Sequence, residues 1–314
     1  MEALHSSRAD RAVKAAVIGL GSMGLGMARS IKRAGIAVTG FDVVAETVER
    51  FVTGDGGRGA ATPAAAAAGA DIVVSVVVNA AQTEAVLFGP DGVAGVMPAG
   101  AVFVSSATMD PAVARRLAHR LESTGRHYLD APISGGSGRA ASGELTVMAS
   151  GSPEAFAKAR PALDAMAAKV YELGPSAGIG AAFKMINQLL AGVHLAAAGE
   201  AIAFAVKQGL DPQQVYDVIT ASAGNSWMFE NRIPHVLAGD YRPASAVEIF
   251  VKDLGIVQDM ARAERYPVPL AAAALQMFLA AAGSGMGRDD DSSLARVYAG
   301  LSGTTLPAKA EPAN

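Results

Sequence analysis

A lysine and two amides stand together in a run that otherwise looks built for burial. The stretch "GAAFKMINQLLAGVHLAAAGEAIAFAV", residues 180–206, reads as one long helix. Lys184, Asn187 and Gln188 lie three and four residues apart and so share a helix face. A buried ammonium is costly unless it is paired or put to use. A lysine whose pKa is lowered by burial or by a neighbouring cation can take the proton of a hydroxyl. An amide beside it can orient that hydroxyl or hold the lysine head. A lysine near a helix start also commonly snorkels to water, so its meaning depends on what the rest of the chain brings.

A second set of residues is suited to phosphate. "VIGLGSMG" places Gly19, Gly21 and Gly24 as GxGxxG, with Leu20, Ser22 and Met23 between them, after a strand-like run and before a helix-like one. The first glycine suits a tight turn and the second a close approach to pyrophosphate. The third allows close packing of helix on strand, and the helix N-terminus faces the phosphate charge. Asp42 follows in "VTGFD", 18 residues after Gly24. A carboxylate there accepts hydrogen bonds from a ribose 2′-hydroxyl and repels a 2′-phosphate. No arginine follows directly in "DVVAET", so the expected cofactor is NAD rather than NADP. The glycines of "DAPISGGSG" expose backbone N–H groups after Ser134, which suit a substrate carboxylate.

The elements that must position these groups alternate. Strand-like runs "KAAVIG", "IAVTGFD", "DIVVSVVV", "AVFVSSA" and "RHYLDAP" are separated by helix-like ones. "GELTVMASG", "PEAFAKARPALDAMA" and "AKVYELG" add strand, helix and strand, and "SGGSG" reads as a loop. The order predicts an α/β doubly wound sheet with helices on both faces. After Gly174 only helices are expected, broken at "GLDP", "AGNS", "AGDYRP" and "RYPVP". The expected organisation is a loose leader over 1–12, a dinucleotide-binding domain over 13–177, an all-α domain over 178–305 that includes the long linking helix, and a flexible tail over 306–314.

Composition narrows the function classes. The chain has 314 residues, 51% hydrophobic and 18% charged, with a net charge of −3. That length favours two domains. The near-balance of charge gives no field for nucleic acid and no polybasic membrane patch. With no cysteine there is no disulfide, thiol nucleophile or cysteine-held metal, and five scattered histidines argue against a catalytic metal. "MEALHSSRADRAVKA" lacks the apolar core of a signal peptide. The run "LAAAALQMFLAAAG", 270–283, reads as a core helix too short to span a bilayer. A soluble, cytoplasmic enzyme with a small-molecule substrate is expected.

With these residues in place, the chain resembles the β-hydroxyacid dehydrogenase family (3-hydroxyisobutyrate dehydrogenase-like) over about 14–302. The likeness rests on "GLGSMGLGMA", "DAPISGGSGRAASGELT", "GAAFKMINQ" and "KDLG", in that order. It implies a Rossmann-type N-terminal domain, a long linking helix, an all-α C-terminal domain and NAD-dependent oxidation of a small hydroxy acid. Lys184 matches the family's catalytic lysine and Asn187 its substrate-orienting amide. Gln188, a further substrate contact, stands where many members have a second Asn. Ser134, Gly135 and Gly136 match substrate-binding positions. Val78, Asn79, Thr83, Thr108 and Lys252 match cofactor contacts, although many relatives have Leu-Pro in place of Val78-Asn79. "AGNSWMFENRIPHVLAGDYRPASAVEIFVKDLG" resembles the branch that oxidises a four-carbon sugar acid at C2, with Asn225 and Ser226 as candidate hydroxyl ligands. Trp227 is expected to pack, Asp253 to orient Lys252, and His194 to lie in a core or an interface. Alternatives within the family are a tartronate or succinate semialdehyde reductase and a 3-hydroxyisobutyrate dehydrogenase. A non-catalytic relative or an imine reductase would commonly lack Lys184. Ala-rich helices after 178 predict a homodimer or homotetramer.

Overall fold

A computed structural model of the protein describes residues 12–308. The leader expected over 1–12 lies outside them except for Ala12, and the tail lies outside them from residue 309. Leu306, placed in the tail by sequence, is partly buried against a helical cluster around Phe229 and Ile233. The chain divides into two compact units, one ending at Lys184 and the other beginning at Met185.

The first unit opens with β1 (Lys14–Ile18), α1 (Gly24–Arg33), β2 (Ala37–Phe41), α2 (Ala45–Asp55), β3 (Arg58–Gly59) and α3 (Pro63–Ala67). There follow β4 (Ile72–Ser75), α4 (Ala80–Phe88), β5 (Val102–Ser105), α5 (Pro111–Glu122) and β6 (His127–Asp130). These six strands form one parallel sheet in the order β3-β2-β1-β4-β5-β6. Its central strands are buried on both faces, which is why their sequences are nearly continuous apolar runs. Ala15, Val17, Ile72, Val74, Val102 and Val104 enter one core, while Ala16, Ile18, Val73 and Phe103 enter the other. Helix starts carry their own stops: Asp110 accepts from the Ala112 amide at 2.6 Å and Pro111 occupies the first turn of α5.

Two features depart from the sequence reading. "GELTVMASG" and "AKVYELG" do not extend the main sheet. They form β8 (Leu145–Ala149) and β9 (Ala167–Glu172), joined to β7 (Ile133–Ser134) in a separate sheet of order β7-β8-β9. Positive φ at Gly135 (136°) and Gly136 (75°) turns the chain so that β7 meets β8 antiparallel. The segment read as a loop contains α6 (Gly136–Ser142). Glycine and serine are poor helix formers, so the local sequence hides it. Its stability comes from α1: Ser30 Oγ donates to the Ala140 carbonyl at 3.0 Å and Arg33 to the Ala141 carbonyl at 2.6 Å. A Cβ on Gly26 would lie 2.7 Å from the Ala141 nitrogen, so that glycine sets the approach of the two helices. The helix α7 (Pro153–Met166) links β8 and β9.

The helix α8 (Ile179–Lys207) begins in the first unit and continues into the second. The second unit is otherwise α9 (Pro212–Thr220), α10 (Trp227–Ala238), α11 (Val247–Ala263), α12 (Pro269–Ala281), a π turn over Ala282–Met286, a 3₁₀ turn over Asp291–Ser293 and α13 (Leu294–Ser302). Its core gathers Met185, Leu195, Phe250, Leu254, Phe278 and Leu294. Among the described residues two helical stretches are, by length and composition, long and apolar enough to cross a membrane, α8 and Pro269–Met286, a test that core helices also pass. The second reaches that length only across a break at Gly285, whose φ of 85° is not helical, while the regular helix α12 ends at Ala281. Both helices place residues in the unit's core.

Candidate active site

The glycine loop divides its labour as its spacing predicts. Gly19 has φ 93°, and a Cβ there would lie 2.8 Å from the Val76 carbonyl oxygen. A Cβ on Gly24 would lie 1.8 Å from the Gly19 oxygen. Both positions are closed to any side chain by the backbone itself. Gly21 differs: a Cβ would meet nothing within 4 Å. Its missing side chain leaves open space beside the loop, the condition a closely approaching pyrophosphate requires. That space belongs to a cavity of about 510 Å³ lined by Leu20, Gly21, Ser22, Arg29, Arg50 and Ser137, among others. Of the two guanidinium groups that line it, Arg29 is ion-paired with Asp55 at 2.8 Å, and the N-terminal end of α1 lies beside Arg50 in the same lining.

Asp42 stands at the end of β2. One carboxylate oxygen accepts from the Leu20 amide at 2.6 Å and the other from the Val44 amide at 2.8 Å. The carboxylate is thereby fixed against the glycine loop, with further lone pairs for a vicinal diol. The loop, the cavity and this carboxylate together fit a nicotinamide dinucleotide.

The other candidate cofactor residues in this unit divide into exposed and internal. Val78 is half-exposed, and its amide donates to Gln82 Oε1 at 2.8 Å. Asn79 caps α4 by accepting from the Gln82 amide at 2.9 Å. Thr83 is fully buried, and its hydroxyl donates to the Asn79 carbonyl at 2.9 Å. It supports the Asn79 turn from within the helix. Thr108 is half-buried just beyond β5, and Ser134 is half-buried at the end of β7, before the two positive-φ glycines.

Lys184 is buried, with 8% of its surface exposed. The turn that carries it is anchored by residues the sequence reading missed. Asp130 ends β6, is 1% exposed, and accepts from the Gly178 and Ala181 amides at 2.8 Å each. Ser150 Oγ accepts from the Gly180 amide at 2.9 Å. Burial pushes the Asp130 carboxyl up to about 6, with the two amides and Ser150 opposing that rise. The only local signal was an aspartate closing an apolar strand in "YLDAP".

In the second unit four polar side chains form a chain of contacts. Asn187 Nδ2 donates to Gln188 Oε1 at 2.9 Å, and Gln188 Nε2 donates to Asp253 Oδ2 at 2.5 Å. Lys252 Nζ lies 2.5 Å from Asp253 Oδ1. Asp253 is 1% exposed and therefore orients both Lys252 and Gln188. Gln188 thus links Asn187 to Asp253.

Two candidates are tied into local structure. Ser226 caps α10, accepting from the Phe229 amide at 3.1 Å. Asn225 Nδ2 donates to the Thr220 carbonyl at 3.2 Å. Trp227 is 46% exposed rather than packed, and the Arg232 guanidinium lies 6.0 Å from its ring centroid. His194 is exposed, which removes the core alternative. Among the described residues no group of three or more His, Cys, Asp or Glu side chains is placed to hold a metal.

Comparison with known proteins decides the family. Residues 14–174 match the family model described as the NAD binding domain of 6-phosphogluconate dehydrogenase. Residues 178–298 match that described as the NAD-binding of NADP-dependent 3-hydroxyisobutyrate dehydrogenase. The chain belongs to the 3-hydroxyisobutyrate dehydrogenase family. It is 53% identical to an L-threonate dehydrogenase of Cupriavidus necator, over 94% of this chain and 98% of that one. An L-threonate dehydrogenase of Escherichia coli K12 is 47% identical over 93% of this chain and 95% of its own length. A crystal structure described as 3-hydroxyisobutyrate dehydrogenase from Salmonella typhimurium superposes with a TM-score of 0.87 at 48% identity, covering 91% of this chain and 99% of that one. The protein is thus an NAD(P)-binding member of this dehydrogenase family, and its six-stranded sheet and helical second unit are the family fold.

Proposed function

We propose that the protein oxidises L-threonate with NAD, removing hydride from C2 to leave a 2-keto four-carbon sugar acid. The observation that carries this reading is the buried Lys184 beside Asn187 and Gln188, in a chain 53% identical along nearly its whole length to an L-threonate dehydrogenase. The bound nicotinamide supplies the hydride acceptor. Lys184, as the neutral amine, takes the hydroxyl proton as the carbon–oxygen double bond forms. Asn187 has one N–H engaged by Gln188, which fixes its amide orientation and leaves its other N–H and its oxygen for substrate hydroxyls. Ser134 and the backbone of Gly135 and Gly136 bind the substrate carboxylate. Asp42 selects NAD by accepting from the adenosine ribose hydroxyls.

An initial-rate panel tests the reading: L-threonate, D-threonate, L- and D-erythronate, 3-hydroxyisobutyrate and the two semialdehydes, each with both cofactors. The highest kcat/KM is expected for L-threonate with NAD. A higher value for 3-hydroxyisobutyrate, or for semialdehyde reduction, would replace it.

The active form is a homodimer or homotetramer built on the second half of the chain. Supporting this, α8 exposes Phe183, Ile186 (61% exposed), Leu190 and Phe204 along one apolar stripe that also passes His194. The stripe spans 22 residues, about 32 Å of helix, and isolated apolar patches of that extent are rare on monomers. Ile186→Glu with Leu190→Glu is expected to halve the mass seen by light scattering at micromolar concentration. A wild-type monomer would contradict the assembly.

A further inference from the structure

We propose that Asp130, with Ser150 beside it, is a positioning residue that sets the place of the Lys184 amine. The proposal rests on the reading of Lys184 as the base. The first amides of a helix have no partner within it. In α8 these are met from another part of the first unit. Asp130 Oδ2 takes the Gly178 and Ala181 amides at 2.8 Å, Ser150 Oγ takes the Gly180 amide at 2.9 Å, and Ser150 Oγ lies 3.5 Å from Asp130 Oδ2.

The two anchoring residues are themselves locked together. Asp130 and Ser150 form an isolated antiparallel bridge, with backbone bonds of 3.0 and 2.8 Å, and both side chains are buried. The helix start fits tightly onto that bridge. A Cβ on Gly180 would lie 2.3 Å from the Met148 carbonyl oxygen and 3.0 Å from that of Asp130. Gly178, at φ 94°, is likewise closed by the Pro111 carbonyl at 2.8 Å. The turn has no room to slide.

Ala181 precedes Lys184 by three residues, so anchor and amine lie on one face, less than one turn apart. The carboxylate also complements the positive end of the helix dipole. A helix that only needed capping could use any exposed serine or aspartate. Here a carboxylate is buried at a cost in desolvation, within one turn of the one lysine the chemistry uses. A rigid base position is what proximity catalysis requires: a misplacement of about 1 Å costs on the order of 10²-fold in rate.

The experiment compares Asp130→Ala, Asp130→Asn, Ser150→Ala and Lys184→Ala by steady-state kinetics, cofactor titration and amide hydrogen exchange over residues 178–188. Asp130→Ala is expected to lower kcat by roughly 10²-fold with KM and cofactor affinity near wild type, and to speed exchange in this turn. Asp130→Asn keeps an oxygen for both amides and is expected to restore kcat to within a few-fold. Ser150→Ala should fall between them, and it keeps the proposal testable should Asp130→Ala not fold. Wild-type kcat in Ser150→Ala and Asp130→Ala, or unchanged exchange, would overturn the anchor. So would a loss shared equally by cofactor affinity and kcat that Asn does not restore. Wild-type turnover in Lys184→Ala would instead overturn the assignment of the base, while the exchange data still judge the anchor.

Discussion

Lys184→Ala is expected to lower kcat by at least about 10²–10⁴-fold, the usual contribution of general acid–base catalysis, while cofactor titration and melting temperature stay near wild type. The physical reason is the placement of the amine. It is buried on α8, on the face of Asn187 and Gln188 and one turn beyond an anchored helix start. Alanine removes the amine proposed as proton acceptor without opening the backbone and is itself a strong helix former. Lys184→Arg is expected to fail equally, because a guanidinium does not release its proton near neutral pH. Were the side chain only covering apolar surface, both variants would turn over at normal rates.

Replacing Asp42 should give the second large effect. Its two oxygens hold the Leu20 and Val44 amides, so the carboxylate sits rigidly beside the glycine loop. On the proposed reading, Asp42→Ala removes the ribose partner and the charge that would repel a 2′-phosphate. Asp42→Arg adds a charge that attracts one. We expect kcat/KM with NAD to fall by about 10-fold or more in both, since a hydrogen bond to a charged group contributes roughly 1.5–3 kcal/mol. The preference should move toward NADP, furthest in the arginine variant. Comparable initial rates with the two cofactors in the unmutated enzyme would contradict the role given to Asp42. The loss of the Leu20 contact also predicts a looser glycine loop, readable as faster amide exchange over residues 19–24.

What the sequence made legible follows from where its information is local. Strands buried on both faces are written as continuous apolar runs, and β1, β4 and β5 were recognisable for that reason. The glycine loop was legible because each glycine answers to one steric demand, and the close approaches at Gly19 and Gly24 and the open space at Gly21 match those demands. The helix α6 was not legible, since its stability comes from Ser30 and Arg33 on α1, more than a hundred residues earlier. The split into two sheets depends on the turn at Gly135 and Gly136, which reads from sequence as a plain loop. The polar network was half legible. Lys184, Asn187 and Gln188 stand out against alanine and leucine, and Asp253 adjoins Lys252 in sequence. That Gln188 reaches Asp253, 65 residues away, is a tertiary fact. So is the grip of Asp130 on α8, because nothing in "YLDAP" names the amides it receives.

One measurement tests the central claim most directly. L-Threonate carrying deuterium at C2 is incubated with the protein and NAD, and the reduced cofactor is weighed by mass spectrometry. Hydride removal from C2 predicts reduced cofactor one mass unit heavier, a primary isotope effect on kcat/KM when that step limits the rate, and a 2-keto acid product. Unlabelled reduced cofactor would place the oxidation at another carbon, and no reduction at all would contradict the proposed activity.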